Sequence, residues 1–452
     1  MSELREYAEG IEGLAKRLGL DYYPVDFELA PASLMTEIAV YGLPIRMPHW
    51  SFGVRYIHQL VRQSMGHSKI FEVMFPGDPC RAFLMDGNSL AENSLVTAHV
   101  LGHADFAKNN QLFARFHRMA GGNIVEKAAA HAHRIQLAIE AVGIERVEGV
   151  LDAALALESH VDVDGELHRQ RYPEFVPERK ALERSSFQQR FGQLPGEETP
   201  TPPCVGPIRA AVPPHPEYDL LWFIASYAPE LEQWERDIFL AVRAESLYFY
   251  PVFACQIMNE GWASYWHARL LREADFLPQP LYLAAIKAHS DVVRPFATGE
   301  QTALGINPYH LGFTLWEHII ERHGMARAME VRREEDDFGF IRNWLDREIA
   351  EKSDLFVYET RPGDEIRVAS RSLEAVREAI LAPKFNFGAP RVAAVDMGTD
   401  GSLVLQHDAA SDGRGLDVAR ARKVLEYVRR VWRRPVRLHT VNDRMEPVEL
   451  AA

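Results

Sequence analysis

The sequence has little cysteine and no long apolar run. Its 452 residues include only Cys80, Cys204 and Cys255, which lie far apart and form no CxxC pair. This usage argues against a disulfide scaffold and a cysteine-based zinc site, and it is typical of a reducing compartment. The most apolar stretch, residues 247–258, is shorter than the roughly 20 residues that a membrane span needs. We therefore expect a cytoplasmic protein with no membrane span.

The sequence also has fewer basic than acidic residues. The chain has 50 lysines and arginines against 64 acidic residues, a formal net charge of −14. A field of this sign disfavours non-specific binding to nucleic acid, so we expect no nucleic-acid partner. The basic run at residues 420–437 is interpreted as a solvated helix face, and docking of nucleic acid or of an acidic partner is the alternative. The sequence contains no P-loop, dinucleotide fingerprint or GxSxG elbow.

Hydrophobic periodicity divides the chain into two predicted domains. Residues 1–353 are predicted to be mainly helical, with loops between the helices of the first 145 residues and one helical pattern over residues 89–120. A proline-rich crossover interrupts this domain at about residues 155–216, where a stretch of 22 residues has eight prolines. Residues 354–452 alternate strand-like runs with two helical stretches. The predicted fold class is therefore α+β.

The first chemical signal is the phrase HVLGH, which contains His99 and His103. Side chains four residues apart on a helix share one face, so both imidazoles can bind one metal ion. Leu95 and Phe106 extend the same stripe, which indicates that this face points inward. Two histidines at this spacing also occur by chance as buried core residues, so the pair does not decide between these interpretations.

The second signal is the phrase CQIMNEGWASYWH. On a continuous helix from Phe253 to Leu271, Glu260 and His267 fall inside an apolar stripe. Glu245 interrupts a similar stripe on the preceding helical stretch. A buried carboxylate needs a cation, a metal ion or a proton. A divalent metal would satisfy these acids and histidines, and a metal-free network of Glu–His hydrogen bonds would satisfy them as well.

Two histidines on one helix and a glutamate from a later helix resemble the ligand set of the gluzincin metallopeptidases. The phrase NEGWASY, residues 259–265, is similar to the phrase that often contains their third ligand. This resemblance implies a zincin-like N-terminal domain. It also implies one divalent metal ion, with zinc the expected ion, bound by His99, His103 and Glu260.

The first helix departs from the gluzincin pattern. Val100 occupies the position of the general-base glutamate of HExxH, and valine cannot accept a proton. The base must then come from elsewhere, and Glu245 and His267 are the candidates. In the phrase NPYHLGF, Tyr309 and His310 could polarise a substrate carbonyl, or they could simply pack behind a helix N-cap. A ferritin-like di-iron site is disfavoured, because no glutamate stands three residues before any histidine.

Several long phrases resemble the SpoVR family, the stage V sporulation protein R-like proteins. They are HVLGHADFAKNN (99–110), PEYDLLWFIASYAPELEQWERDI (216–238), MNEGWASYWH (258–267), NPYHLGF (307–313) and REEDDFGFIRNWL (333–345). The resemblance implies a role in spore cortex formation or, outside spore-formers, in stress. It also implies a genetic context with a PrkA-like serine kinase and a von Willebrand-type domain protein.

Two hypotheses of function follow. In the first, the helical domain is a metal-dependent hydrolase that acts on an amide bond of a peptide or a peptidoglycan-related substrate. In the second, the protein is a non-catalytic regulator or scaffold that works with the PrkA-like kinase system, and its histidines and acids form a structural network. Val100 at the base position favours the second hypothesis.

Overall fold

The structure is a computed structural model, and it describes most of the chain. The described residues are 2–43, 45–64, 72–120, 124–169, 212–294, 307–361 and 365–452. Most of the predicted proline-rich crossover (170–211), together with Cys204, lies outside them. Cys80 and Cys255 are buried and unbridged.

Helices form most of the described chain. Before residue 170 they are α1 (Ser2–Arg17), α2 (Ala32–Tyr41), α3 (Trp50–Ser64), α4 (Leu90–Asn109), α5 (Gln111–Ala120), α6 (Ile124–Val142), α7 (Ile144–Ala156) and α8 (Gly165–His168). From residue 212 they are α9 (Leu220–Tyr227), α10 (Gln233–Ala254), α11 (Gln256–Glu273), α12 (Gln279–Val293), α13 (Pro308–Glu334), α14 (Asp337–Trp344), α15 (Arg347–Lys352), α16 (Leu373–Leu381), α17 (Ala409–Asp412) and α18 (Val418–Trp432). A 3₁₀ segment covers Ala382–Gly388.

Three small sheets complete the fold. Their strands are β1 (Val25–Ala30), β2 (Glu72–Phe75), β3 (Cys80–Met85), β4 (Val357–Arg361), β5 (Glu365–Ser370), β6 (Val392–Met397), β7 (Leu403–His407), β8 (Val436–Val441) and β9 (Pro447–Ala451). The strand orders are β1-β3-β2, β4-β5 and β6-β7-β8-β9. Helix α18 crosses between the parallel strands β7 and β8. The predicted α+β class, mainly helical with a small sheet-containing C-terminal region, is confirmed.

The N-terminal sheet differs from the prediction of helices and loops. Strand β3 pairs in parallel with β1, with Val25 opposite Cys80, and antiparallel with β2, with Glu72 opposite Leu84. Four to six residues are too short a run for periodicity to separate a strand from a loop or a helical turn. The pairing of β1 with β3 joins segments more than 50 residues apart, so no local pattern reports it.

The predicted helical pattern over residues 89–120 is divided in two. Asn110 adopts an extended backbone conformation at the end of α4. Its side-chain oxygen accepts hydrogen bonds from the backbone of Leu112 and Phe113, so it caps the start of α5. Its amide group donates to the carbonyls of Arg332 and Glu335. These contacts with α13 come from tertiary structure and stop the helix where the sequence pattern would continue it.

A second break separates α10 from α11 at Cys255, with a bend of 60°. The buried carboxylate of Asp337 accepts hydrogen bonds from the backbone of Ile257, at 3.0 Å, and Met258, at 2.9 Å, and thereby caps the new helix. The prediction of a continuous helix from Phe253 to Leu271 was therefore wrong. Within the described residues no single helix is long and apolar enough to cross a membrane, and α10 with α11 meets that test only as a bent pair.

Helix α11 packs into the largest core cluster between α4 and α13 at glycine contacts. A Cβ atom on Gly102 of α4 would lie 2.7 Å from the Cα of Ala263. A Cβ atom on Gly261 would lie 2.3 Å from the backbone carbonyl carbon of Gly312 in α13. The backbones therefore approach more closely than any residue with a Cβ allows, and this approach sets the spacing of the side chains beside them.

The C-terminal sheet packs on a different core. Leu403, Leu405 and Leu438 belong to the cluster that includes α7, α9, α10 and α18. Trp432 stacks on Phe223 with ring centroids 5.8 Å apart. The backbone of Glu217 pairs with that of Ala394, which extends the sheet at β6. The C-terminal strands are thus joined to the helical part through one shared core.

Replacing Gly261 with alanine should lower the free energy of unfolding by about 3 kcal/mol, because the new methyl group meets backbone rather than a side chain that can move. Gly149 in α7 is the matched control, since a Cβ there has no neighbour within 4 Å. Gly149→Ala should leave stability unchanged or slightly raise it. Urea unfolding followed by circular dichroism measures both, and equal stability of the two variants would contradict the close-packing argument.

Candidate metal centre

Helix α4 presents two buried imidazoles to the interior. The helix begins with a capping box in which Ser89 and Glu92 bond reciprocally to backbone groups. Almost all of its side chains are buried, including His99 at 3% exposure and His103 at 9%. Because Gly102 lies against Ala263, both histidines face the helix that contains the NEGWAS phrase.

Helix α11 places Glu260 opposite this pair. Glu260 Oε2 lies 3.5 Å from His99 Nε2 and 3.4 Å from His103 Nε2. One ligand atom from each residue lies within 4.8 Å of the other two. Ligands about 2.1 Å from a common zinc ion at tetrahedral angles are separated by about 3.4 Å. The two distances to Glu260 match this edge length.

The same distances are longer than an ordinary N–H···O hydrogen bond. His99 Nε2 and Glu260 Oε2 are buried and have no hydrogen-bond partner. Burial on its own would raise the pKa of Glu260, but the positive charge of His103 and the close contacts with both imidazoles hold that pKa well below its usual range. The carboxylate is therefore ionised, and the orphaned atoms converge on a space that a cation fits.

Hydrogen bonds behind the imidazoles orient them. His103 Nδ1 lies 2.9 Å from the side-chain oxygen of Asn259, so Nδ1 carries the proton and donates it. His99 Nδ1 lies 2.9 Å from His267 Nδ1, and His267 Nε2 lies 2.6 Å from His289 Nδ1. Burial would lower the pKa of His103, but the charge of Glu260 and hydrogen bonding raise it above its ordinary value, which favours the charged imidazole. A metal ion would replace the proton on Nε2 and bind its lone pair, while Nδ1 keeps its contact with Asn259.

The histidine chain behind His99 is neutral. Burial, and then the neighbouring imidazoles of His99 and His289, lower the pKa of His267 well below its ordinary value. Burial, and then the charges of Arg272 and His99, lower the pKa of His289 to about 4. With a proton on His99 Nδ1, His99 donates to His267 Nδ1, and His267 Nε2 in turn donates to His289 Nδ1. His267 thus contacts a candidate ligand and positions it.

Glu72, which the sequence reasoning did not single out, also reaches the cluster. It begins β2, and its Oε1 lies 3.9 Å from His99 Nε2. Burial raises the pKa of Glu72, and Glu260 adds to the rise, while His99 and His103 oppose it. A strand of four residues placed beside a helix more than 20 residues later leaves no periodic signal, so sequence patterns could not connect Glu72 with HVLGH.

The two candidate residues of NPYHLGF, Tyr309 and His310, have different surroundings. Asn307 caps α13 by accepting a hydrogen bond from the backbone of Tyr309. The Tyr309 ring stacks on His99 with centroids 6.1 Å apart. The charge of Glu260, followed by burial and Glu72, raises the pKa of Tyr309 well above its ordinary value, so the phenol keeps its proton. His310 instead contacts the backbone carbonyl of Val293.

Glu245, the first-named candidate base, belongs to another cluster. Arg46 Nε donates to its Oε2 at 2.7 Å, and His131 Nδ1 lies 3.7 Å from its Oε1. In the part of the chain that the structure describes, no hydrogen bond or ion pair links Glu245 to His99, His103 or Glu260. An interior stripe on α10 indicated burial correctly, but burial alone does not say which core the residue enters.

Asp105, six residues after His99, ties three helices together. Its carboxylate accepts a hydrogen bond from Trp262 Nε1 of α11 at 2.8 Å and an ion-paired hydrogen bond from Arg332 of α13 at 2.5 Å. The backbone N–H of Asp21 donates to its second oxygen. Asp105 is fully buried and Arg332 nearly so. This pair holds α4, α11 and α13 at the spacing that brings the imidazoles to Glu260.

Comparison with known proteins now identifies the family. Residues 1–388 match the family model described as "SpoVR like protein", and residues 391–443 match the one described as "SpoVR-like C-terminal domain". The chain belongs to the SpoVR family. The resemblance expected from the sequence phrases is confirmed. The two SpoVR models meet near residue 390, at the start of the four-stranded sheet.

A curated relative extends the comparison. The chain is 32% identical over 349 residues to "Uncharacterized protein YcgB" of Escherichia coli (strain K12). That match covers 74% of this chain and 65% of the relative, so the chain spans less than two thirds of the relative's length. No solved structure matches the chain. These comparisons show SpoVR membership and assign no activity.

Four of the five phrases that resemble the SpoVR family meet around the cluster, whereas residues 216–238 pack in the other core. HVLGHAD contains the imidazole pair and Asp105. NEGWAS contains Glu260, and NPYHLGF contains Tyr309 together with Gly312, which lies against Gly261. REEDDFG contains Asp337, which caps α11 and pairs with Lys384 at 2.9 Å. These four phrases therefore build one structural unit.

Replacing Asp105 with asparagine should lower the free energy of unfolding by about 3–5 kcal/mol, because Arg332 would remain buried without a counter-charge. Glu330→Gln is the control, since that residue pairs with Arg327 at the exposed surface and should show no measurable change. Chemical unfolding of both variants against the parent tests this. An Asp105→Asn protein as stable as Glu330→Gln would contradict the assigned role.

Proposed function

We propose that this SpoVR-family protein is a metal-dependent hydrolase that acts on an amide bond of a peptide or a peptidoglycan-related substrate. The supporting observation is the convergence of His99 Nε2, His103 Nε2 and Glu260 Oε2 at distances suited to one zinc ion. The orphaned His99 and Glu260 atoms favour a cation over a metal-free Glu–His network, whose hydrogen bonds would be shorter.

Zinc bound there would polarise a substrate carbonyl and lower the pKa of a bound water. Glu72 is the residue suited to accept a proton, because its carboxylate lies beside His99 and comes from the edge strand β2. Tyr309 keeps its phenolic proton and can donate a hydrogen bond to a developing oxyanion. His267 positions His99 and is not needed as the base.

This arrangement would combine a gluzincin-like ligand set with a general base that does not come from the helix of His99 and His103. Val100, at the position of the usual glutamate, is fully buried. In our proposal Glu72 takes over the role for which Glu245 and His267 were first considered, because Glu245 pairs with Arg46. The zincin-like character of the helical domain belongs to the same proposal.

Val100 also favours a second candidate function. A SpoVR-family protein without a catalytic base could serve as a regulator or scaffold for a PrkA-like serine kinase and a von Willebrand-type domain protein. The metal centre would then be structural. Hydrolysis assays on the metal-loaded protein separate this candidate from the first.

Zinc titration with a competing chromophoric chelator tests the centre. The purified protein, stripped with chelator and reloaded, should bind one zinc ion per chain. His99→Ala and Glu260→Gln should each weaken binding by more than the roughly 10–100-fold typical of changes behind the ligands. His133→Ala, at an exposed histidine of α6, should bind like the parent. The proposed metal site would be contradicted if the parent protein bound no zinc or if the ligand variants bound zinc as tightly as the parent.

Hydrolysis of fluorogenic peptide amides and of purified peptidoglycan stem peptides tests the activity. Glu72→Gln should keep zinc but lower kcat by about 10²–10⁴-fold, because it removes the proton acceptor. Glu245→Gln, at the buried glutamate that pairs with Arg46, should leave kcat within about threefold of the parent value. Equal turnover of the Glu72 variant and the parent would contradict the role of Glu72. Zinc-loaded parent protein with no turnover would favour the regulatory candidate.

A further inference from the structure

A pocket of about 350 Å³ opens beside the candidate metal centre. His99, His267 and Tyr309 form its inner end. The charged residues of its lining are all acidic, and they are Glu72, Glu92 and Asp291. Among the described residues that line the pocket there is no lysine or arginine. The volume is within the range of small-ligand sites.

The three carboxylates come from separate elements and are held in different ways. Glu72 is on β2 beside His99. Glu92 lies in the first turn of α4, where its Oε2 accepts the backbone N–H of Ser89 at 2.7 Å. Asp291 is exposed near the end of α12, with Arg294 at 3.9 Å. The acidic character therefore extends from the centre to the outer part of the lining.

Apart from Asn307, the remaining walls are aliphatic. Leu95 and Val96 of α4 and Ala288 and Val292 of α12 face each other across the pocket. At the inner end, Nε2 of His99 is buried and has no hydrogen-bond partner, which is a second sign that a ligand binds at this end of the pocket. A ligand that suits this lining has an apolar stem and a positive end, and it reaches the metal centre with its other end.

We propose that this pocket selects an amide substrate with a primary ammonium group on an aliphatic chain, extending from the scissile bond. The inference rests on the proposed hydrolase function and specifies its substrate class. An ammonium group has three donors and finds carboxylates at Glu92 and Asp291, whereas an anionic chain of the same length would be repelled. The aliphatic walls contact the methylene groups of the chain.

Two metal-binding probes of equal chain length test the selection. On zinc-loaded protein, 6-aminohexanohydroxamate should bind at least tenfold more tightly than hexanohydroxamate, a ratio expected from charge-assisted hydrogen bonds. In the double variant Glu92→Gln/Asp291→Asn this ratio should fall to within about threefold of unity. Glutamine at position 92 can keep the cap to Ser89, so the double variant changes charge while α4 keeps its start. Hexanohydroxamate itself should bind parent and variant alike.

Acetohydroxamate, which has neither an aliphatic chain nor an ammonium group, separates the two proposals. Zinc and acetohydroxamate binding with no preference for the ammonium probe would overturn the substrate class and leave the hydrolase proposal standing. A preference that persists in the double variant would overturn the assignment to Glu92 and Asp291. If the protein binds no zinc, the hydrolase proposal fails and the substrate class fails with it. Isothermal titration calorimetry at low ionic strength measures all of these affinities.

Discussion

The close approach of α4, α11 and α13 is the constraint on which the rest of the structure depends. Gly102 admits the backbone of α11 next to α4, and Gly261 and Gly312 let α11 and α13 touch without intervening side chains. Helices in contact at this distance bring side chains of the facing turns within hydrogen-bonding or metal-binding range. His99, His103 and Glu260 lie on those turns, next to the apolar residues of the largest core cluster.

Buried charges then make this packing specific. A core of tryptophan and leucine could tolerate sliding of one helix along another, but Asp105 must meet Arg332 and Trp262, and Asp337 must meet the first turn of α11. Moving any of these helices would leave a charge buried without a partner, at a cost of several kcal/mol. The same pairs that hold the helices therefore define the geometry of the candidate metal centre.

Much of the candidate site could be predicted from local sequence. His99 and His103 share a face because a helix repeats every 3.6 residues, and the NEGWAS phrase identifies a carboxylate on an interior face. Glu245 passed the same test of burial and lies in another cluster, where Arg46 neutralises it. No local sequence pattern singled out Glu72, and yet it lies beside His99. Periodicity reports whether a side chain points inward, but not which inward-pointing side chains meet.

The sequence by itself determined the α+β class, the family, the helical faces and the residue types available for metal binding, since each depends on patterns within a few turns of chain. Only the tertiary structure decided where α4 ends, where α10 gives way to α11, and which carboxylates stand near His99. Those outcomes depend on contacts from Asn110 to α13, from Asp337 to α11 and from β2 to α4. Such contacts join residues tens to hundreds of positions apart, and their energies exist only once the chain has folded.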